Sequence, residues 1–274
     1  MKVRARAATS DLSRGFGRIP RICAFRILAT LAALLLIPAL AGPAAAAPKK
    51  DKFANYPPPE IGPGHQAGPK PHLMLLHGGS FLYDDPEFVE TTQGAARKAG
   101  FIPHYTTYPL GDMPAAVLAV RAEAKRLRQK FGGDMVYAYG SSAGGTLAAL
   151  LSGDGLVAAA AAKAPVSNLV SWEWPLGAYG PKYWERVQLD LDARYRLSPL
   201  RRPAKEPLLL VHGIDDQVVP ISQSEAYANK FRKVHLWEVL GGHHAERSQP
   251  EVLQRTLIWL AEISEAQAQG RIAR

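Results

Sequence analysis

The chain has 274 residues, of which 47% are hydrophobic and 21% are charged, and its formal net charge at pH 7 is +9. This length fits one large α/β domain or two small ones, and the composition is that of an ordinary globular protein. The charge is uneven, since residues 1–47 hold seven Lys and Arg against one acidic residue and so carry +6 of the total. The rest of the chain carries only +3, which argues against nucleic acid as a partner.

Residues 1–47 are predicted to direct export. A basic stretch leads into an apolar run at 27–41, and small residues follow at 42–47. This order is typical of a secretory signal peptide, and the run is shorter than the roughly 20 residues that a membrane-spanning helix needs. We therefore expect a periplasmic or extracellular protein, attached to a membrane only if the signal stays uncleaved as an anchor. Cys23, the one cysteine of the chain, lies in this segment, so neither disulfides nor Cys-based metal sites are expected beyond it.

Residues 48–70 are rich in Pro, Gly and Lys and are predicted to be a linker. Beyond them, apolar stretches alternate with helical patterns. The predicted elements, in chain order, are a strand at 73–76, a helix at 86–98, a strand at 102–107, a helix at 112–130, a strand at 135–139, a helix at 143–151, a strand within 157–166, a strand at 208–211, a helix from 222, a strand at 234–240 and a helix ending near 263. Because the strands are apolar rather than two-faced, they predict an α/β fold with a mostly parallel sheet of about six strands and helices on both faces.

Residues 168–200 interrupt the alternation and hold three of the five tryptophans, Trp172, Trp174 and Trp184. We interpret this small aromatic-rich insertion as a lid or substrate wall. The alternative is a satellite cluster that packs on the edge of the sheet. Farther along the chain, Ser222 and Glu225 have the spacing of a capping box that would begin the helix there.

The pentapeptide Gly-Ser-Ser-Ala-Gly at 140–144 lies between a predicted strand and a predicted helix. A serine in this context can project from a sharp turn, because glycines two residues before and after it leave the necessary room. The N-terminus of the following helix favours developing negative charge. Ser142 has a glycine on both sides at this spacing and Ser141 does not, so Ser142 is the predicted nucleophile.

A glycine-rich loop follows the first predicted strand. In His-Gly-Gly-Ser at 77–80, the backbone N–H groups of Gly79 and Ser80 could, together with that of Ala143, stabilise an oxyanion. His77 is interpreted as structural, holding the loop, rather than as a catalytic base.

Candidate acid and base residues end the last two predicted strands, at the sheet edge where ligands bind in parallel sheets. Either Asp215 or Asp216 could orient a histidine, and either His243 or His244 could accept the serine proton. Paired histidines also occur in metal sites, but neighbours on an extended strand point apart and no second cluster of His, Asp or Glu is evident. Neither a metal nor another cofactor is expected.

Together these motifs resemble the α/β-hydrolase superfamily. Within it, they are similar to secreted bacterial esterases and lipases with an H-G-G loop, and also to the catalytic domains of prolyl-oligopeptidase-type peptidases. The H-G-G loop is matched at 77–79, the elbow at 140–145, and the acid motif H-G-x-x-D-x-x-V-P at 212–220.

The resemblance also bears on the acid and the base. The acid motif selects Asp216 over Asp215. The histidine motif G-x-G-H fits loosely, because its second glycine comes one position early in this chain. Counting from Gly241 favours His244, and His243 stays open as the alternative base.

The resemblance implies an α/β-hydrolase catalytic domain at 71–274, containing the insertion 168–200. It implies a serine hydrolase that cleaves small-molecule carboxylic esters through an acyl-enzyme, with a Ser-His-Asp triad. An amidase, a peptidase or an acyltransferase could use the same triad. A non-catalytic binding module on a hydrolase scaffold would require a broken triad. Relatives usually have two more strands before the H-G-G strand, so we expect a trimmed sheet and a more open cleft on that side.

Overall fold

The computed structural model describes residues 69–173, 182–244 and 249–271. Residues 1–68, which contain the predicted signal segment and nearly all of the predicted linker, lie outside the described residues. Six strands form one parallel sheet in the order β2-β1-β3-β4-β5-β6. The strands are β1 (His72–Leu76), β2 (Ile102–Tyr105), β3 (Val136–Ser141), β4 (Ala160–Lys163), β5 (Leu208–Gly213) and β6 (Val234–Val239).

Seven α-helices connect or follow the strands of the described chain. They are α1 (Pro86–Lys98), α2 (Met113–Phe131), α3 (Ala143–Asp154), α4 (Tyr183–Arg186), α5 (Leu191–Leu197), α6 (Ser222–Lys230) and α7 (Pro250–Ala268). No helix in the described ranges is long and apolar enough to cross a membrane.

The sheet is covered on both faces. Every residue of β1, β3 and β5 is buried. Met74 and Leu76 point into one hydrophobic cluster with α2, α3 and α6, while Leu73 and Leu75 point into a second cluster with α1 and α7. The predicted parallel sheet of about six strands with helices on both faces is therefore confirmed.

Side chains begin some of the helices as expected, but not all. The Asp112 carboxylate accepts a hydrogen bond from the Ala115 N–H at 2.8 Å, and this cap begins α2. At α6 the predicted capping box is wrong: Ile221 precedes the helix, without a side-chain cap, and Ser222 is already its first residue. The chain enters the helical turn early, because the Gln223 N–H already donates to the Pro220 carbonyl at 2.9 Å.

The described part of the insertion, residues 168–173 and 182–200, contributes to the core on one face of the sheet. Trp172 and Trp184 are both buried, and their rings meet edge to face with centroids 5.7 Å apart. The Arg194 guanidinium lies 4.0 Å from the centroid of the Trp184 ring. Trp174 lies outside the described residues. Trp172 and Trp184 thus pack within the hydrophobic core on that face, and Trp172 also borders a cavity beside Ser142, so the interpretation as a lid or substrate wall stays a prediction.

Candidate active site

Ser142 stands at the turn between β3 and α3. Its backbone has φ 54° and ψ −116°, a left-handed conformation that is strained for any residue with a side chain. The Ser142 N–H donates to the Lys163 carbonyl of β4 at 2.8 Å. These contacts place the hydroxyl at the carboxyl end of the sheet and at the N-terminus of α3.

Two glycines make this turn possible. A Cβ at Gly140 would overlap the Gly144 carbonyl, and a Cβ at Gly144 would overlap the carbonyls of Leu76 and His77. The glycines therefore allow β1, β3 and α3 to approach more closely than side chains would permit. This is the role that the sequence pattern predicted for them.

The structure brings three of the predicted residues into one hydrogen-bonded chain. Ser142 Oγ lies 2.9 Å from His244 Nε2, and His244 Nδ1 lies 2.8 Å from Asp216 Oδ2. The Asp216 side chain is fully buried and that of His244 is 20% exposed. His243 is exposed and contacts the Asp215 carbonyl instead, with Nδ1 3.4 Å away. His243 and Asp215, the two alternatives that the sequence left open, thus take no part in this series of hydrogen bonds.

Four donors surround the Asp216 carboxylate. Oδ1 accepts from the N–H groups of Val218 and Val219 at 2.9 and 2.8 Å, while Oδ2 faces His244 Nδ1 and, at 3.3 Å, His212 Nε2. Burial alone would raise the pKa of Asp216, but the contacts with His212, His244 and the Val219 N–H outweigh burial and hold it well below its usual range. Asp216 is therefore an anion at neutral pH.

The functional reasoning from sequence missed His212. It occupies the first position of the H-G-x-x-D motif, four residues before Asp216, and that spacing was the signal available. A contact with the carboxylate could not be inferred, since β5 ends at Gly213 and the following turn decides which way Asp216 points.

The loop after β1 contains the predicted oxyanion donors. Gly79, Ser80 and Phe81 all have positive φ, at 92°, 58° and 60°. In the described part of the chain, the N–H groups of Gly79, Ser80 and Ala143 donate to no other group. All three residues border cavities that also touch Ser142. The arrangement leaves these donors available to a substrate oxygen.

His77 contacts this loop from the protein interior. It is buried, its Nδ1 donates to the Gly78 carbonyl at 2.7 Å, and its ring stacks on Tyr108 with centroids 4.3 Å apart. The Tyr108 hydroxyl donates to the His77 carbonyl at 2.7 Å. These contacts agree with a structural role for His77.

A cleft of about 550 Å³ opens beside the serine between α1 and α7, and we name it the α1–α7 cleft. Ser142 and His244 line it together with Phe88 of α1 and Leu253 of α7. Across the described ranges, no group of three or more His, Cys, Asp or Glu side chains is arranged to hold a metal ion.

Solved structures of several hydrolases have a similar fold. An acetyl ester-xyloside bifunctional hydrolase from Caldicellulosiruptor lactoaceticus is 17% identical with a TM-score of 0.60, over 76% of this chain and 86% of that one. An esterase/lipase from an uncultured bacterium is 20% identical with a TM-score of 0.63, over 74% and 80%. Thermogutta terrifontis esterase 2 phosphonylated by sarin is 19% identical with a TM-score of 0.62, over 75% and 86%. No curated protein matches this chain in sequence.

Fold and site together define a serine hydrolase of the α/β-hydrolase superfamily. The sequence model of the prolyl oligopeptidase family matches residues 112–267, which is more than half of the chain. The chain belongs to the prolyl oligopeptidase family. The predicted superfamily and the predicted enzyme class are confirmed.

Proposed function

We propose that Ser142, His244 and Asp216 are a catalytic triad with which the chain hydrolyses carboxylic esters. The observation that carries this proposal is the continuous contact from Ser142 Oγ through His244 to Asp216, at 2.9 and 2.8 Å. Structurally similar proteins that are named as esterases support esters over amides as the substrate class.

In this proposal, Ser142 Oγ attacks the ester carbonyl while His244 Nε2 takes its proton. The carbonyl oxygen becomes an oxyanion that accepts hydrogen bonds from the N–H groups of Gly79, Ser80 and Ala143. His244 then gives its proton to the departing alcohol, leaving an acyl-enzyme. A water molecule, deprotonated by His244, releases the acid and restores Ser142. Asp216 stabilises protonated His244 throughout, and the reaction requires no cofactor.

A peptidase is the second candidate, because the family that matches the chain is named for an oligopeptidase. The same triad can attack an amide carbonyl. A panel of acyl esters and short peptides, tested with the same purified protein, discriminates the two activities by their kcat/KM values.

We also propose that residues 1–47 export the protein to the periplasm or the extracellular space. The basic, apolar and small-residue regions of that segment support this proposal. Fractionation of cells that produce the full chain tests it, and retention of the uncut protein in the cytoplasm would contradict it.

A fluorophosphonate probe, which reacts with activated serines, is expected to label the wild-type protein and to leave Ser142→Ala unlabelled. Ser141→Ala is the matched control and should be labelled like the wild type, since only Ser142 contacts His244. Labelling is measured on a gel after circular dichroism has shown that each variant is folded. Equal labelling of Ser142→Ala would refute the triad, and a folded but unlabelled wild type would favour the binding-module alternative.

A further inference from the structure

Two cavities of very different size meet at Ser142. One is the α1–α7 cleft of about 550 Å³, which His244 lines. The other, which we name the inner cavity, has a volume of only about 10 Å³. It touches Ser142 and Ala143 and is bordered by Phe81 and Trp172, but His244 is not among its lining residues.

The chemistry of ester cleavage assigns a substrate half to each cavity. His244 must protonate the departing alcohol oxygen, so that oxygen has to lie within hydrogen-bond reach of Nε2. The alcohol half therefore lies in the α1–α7 cleft, which contains His244. The acyl half then points to the opposite side of Ser142, into the inner cavity.

The walls of the inner cavity are held in place. The Trp172 indole Nε1 donates to the Val218 carbonyl at 2.9 Å, and the Tyr183 hydroxyl donates to the Ser80 carbonyl at 3.2 Å. The two rings meet edge to face with centroids 5.5 Å apart, and each residue is 4% exposed. A volume of about 10 Å³ holds roughly one water-sized group, which is the size of a methyl group.

The α1–α7 cleft offers both polar and apolar walls. Asp85, Thr91 and Ser141 present groups capable of hydrogen bonding, whereas Phe88 and Leu253 present apolar surface. Such a mixture suits a large alcohol that carries several hydroxyl groups and one apolar face. Resting on the proposed ester hydrolysis, we propose that the substrates are acetyl esters of large, hydroxyl-rich alcohols.

The test compares kcat/KM for p-nitrophenyl acetate, butyrate and hexanoate. For the wild type we expect a fall of roughly 100-fold from acetate to butyrate, since each misplaced methylene costs about tenfold or more. Val166→Ala, which enlarges the inner cavity, should raise the butyrate-to-acetate ratio by about tenfold. An acetylated monosaccharide should also exceed ethyl acetate in kcat/KM by about tenfold or more.

A wild type that prefers butyrate or hexanoate would overturn this inference, and it would leave the proposed ester hydrolysis intact. Absence of Ser142-dependent hydrolysis for every ester would instead refute the proposed function. If Val166→Ala does not fold, Leu169→Val enlarges the same cavity by a smaller step, and the wild-type series decides the question by itself.

A second observation concerns His212, which is fully buried at the end of β5. Its Nε2 lies 2.8 Å from the Val219 carbonyl and 3.3 Å from Asp216 Oδ2, and its Nδ1 lies 2.7 Å from the buried Ser224 hydroxyl. Because a carbonyl oxygen can only accept, Nε2 carries a proton. The same N–H points to the Val219 carbonyl and also faces, with Nε2 3.3 Å away, the oxygen of Asp216 that binds His244.

This contact has two effects on the triad. By binding the Val219 carbonyl, His212 fixes the turn whose N–H groups hold Asp216 Oδ1. By facing Oδ2, the Nε2–H group of His212 partly neutralises the negative charge of that oxygen, which weakens the attraction between Asp216 and protonated His244. We infer that His212 is a positioning residue that acts through Asp216 and keeps the carboxylate from overstabilising protonated His244.

The test replaces His212 by Asn and by Gln. A Gln amide reaches the position of Nε2 and keeps the donor, whereas an Asn amide reaches only the position of Nδ1 and loses it. For His212→Asn we expect the acid-side midpoint of the pH profile of kcat/KM to rise by about 0.5 to 1 pH unit, because the N–H that faces the carboxylate is lost. His212→Gln should keep the wild-type midpoint.

A merely structural role would lower kcat/KM at every pH and leave the midpoint unchanged in both variants, and that result would overturn the inference. If His212→Asn does not fold, Ser224→Ala loosens the other side of the imidazole and should move the midpoint in the same direction by less. The proposed function is unaffected by these outcomes, because it depends on Ser142 labelling of the wild type.

Discussion

His244→Ala is expected to lower kcat/KM by roughly 10⁶-fold, whereas His243→Ala should keep most of the wild-type activity. The two histidines are neighbours in sequence, but only His244 joins Ser142 Oγ and Asp216 Oδ2, at 2.9 and 2.8 Å. Without it, the serine has no group to accept its proton. His243 is exposed and its Nδ1 faces the Asp215 carbonyl rather than Ser142, so its loss should leave the site intact.

Initial rates with p-nitrophenyl acetate measure both variants, and thermal melting shows whether each is folded. The two substitutions remove the same number of atoms from adjacent positions, so a general disturbance of the loop after β6 would affect both. An inactive His243→Ala beside an active His244→Ala would reverse the assignment of the base.

Asp216→Asn is expected to lower kcat by about 10⁴-fold. An Asn side chain can keep one oxygen, but its NH₂ group would face donors that now bind the carboxylate. His244 would then lose the acceptor that holds its Nδ1 proton and orients its ring. Asp215→Asn is the matched control, because Asp215 is exposed and lies outside the proposed triad. Rates of Asp215→Asn that fall as far as those of Asp216→Asn would contradict the role given to Asp216.

The same substitution should also change the acid stability of the protein. The pKa of Asp216 in the folded state lies below its ordinary value of 3.8. Stabilisation from this group is therefore present above about pH 4 and is lost as the pH falls toward the folded-state pKa. Urea unfolding of the wild type at pH 6 and pH 3 should show a larger loss of unfolding free energy than Asp216→Asn shows. Equal losses in the two proteins would contradict the contribution of Asp216.

Much of the fold could be predicted because it depends on local patterns. The apolar runs at 73–76 and 208–211 appear as buried strands, and the helix predicted at 86–98 has those limits in the structure. Gly140 and Gly144 predicted the turn at Ser142, because segments of backbone that approach so closely require glycine and this requirement is visible in the sequence. The prediction for the start of α6 was wrong, because the Pro220 carbonyl already accepts a hydrogen bond from the helical turn and Ser222 lies inside the helix rather than at its cap.

The site was harder to predict where it depends on loops that meet only in space. Whether His243 or His244 faces the serine depends on the turn after β6, where Gly241 has φ 65° and Gly242 packs against the backbone of Gly213. A Cβ at Gly213 would overlap the Gly242 carbonyl. This contact brings the histidine loop onto the acid loop, and no periodicity in the sequence encodes it.

The strained backbone of Ser142 lowers the stability of the fold at the position of the proposed nucleophile. A conformation of this kind costs roughly 1 to 3 kcal/mol for a residue with a side chain, and glycine adopts it with little penalty. A glycine at position 142 would relieve this strain, but it would also remove the hydroxyl that lies 2.9 Å from His244 Nε2. If hydrolysis were no longer needed, a glycine at position 142 would be a stabilising change, and it would remove the proposed nucleophile.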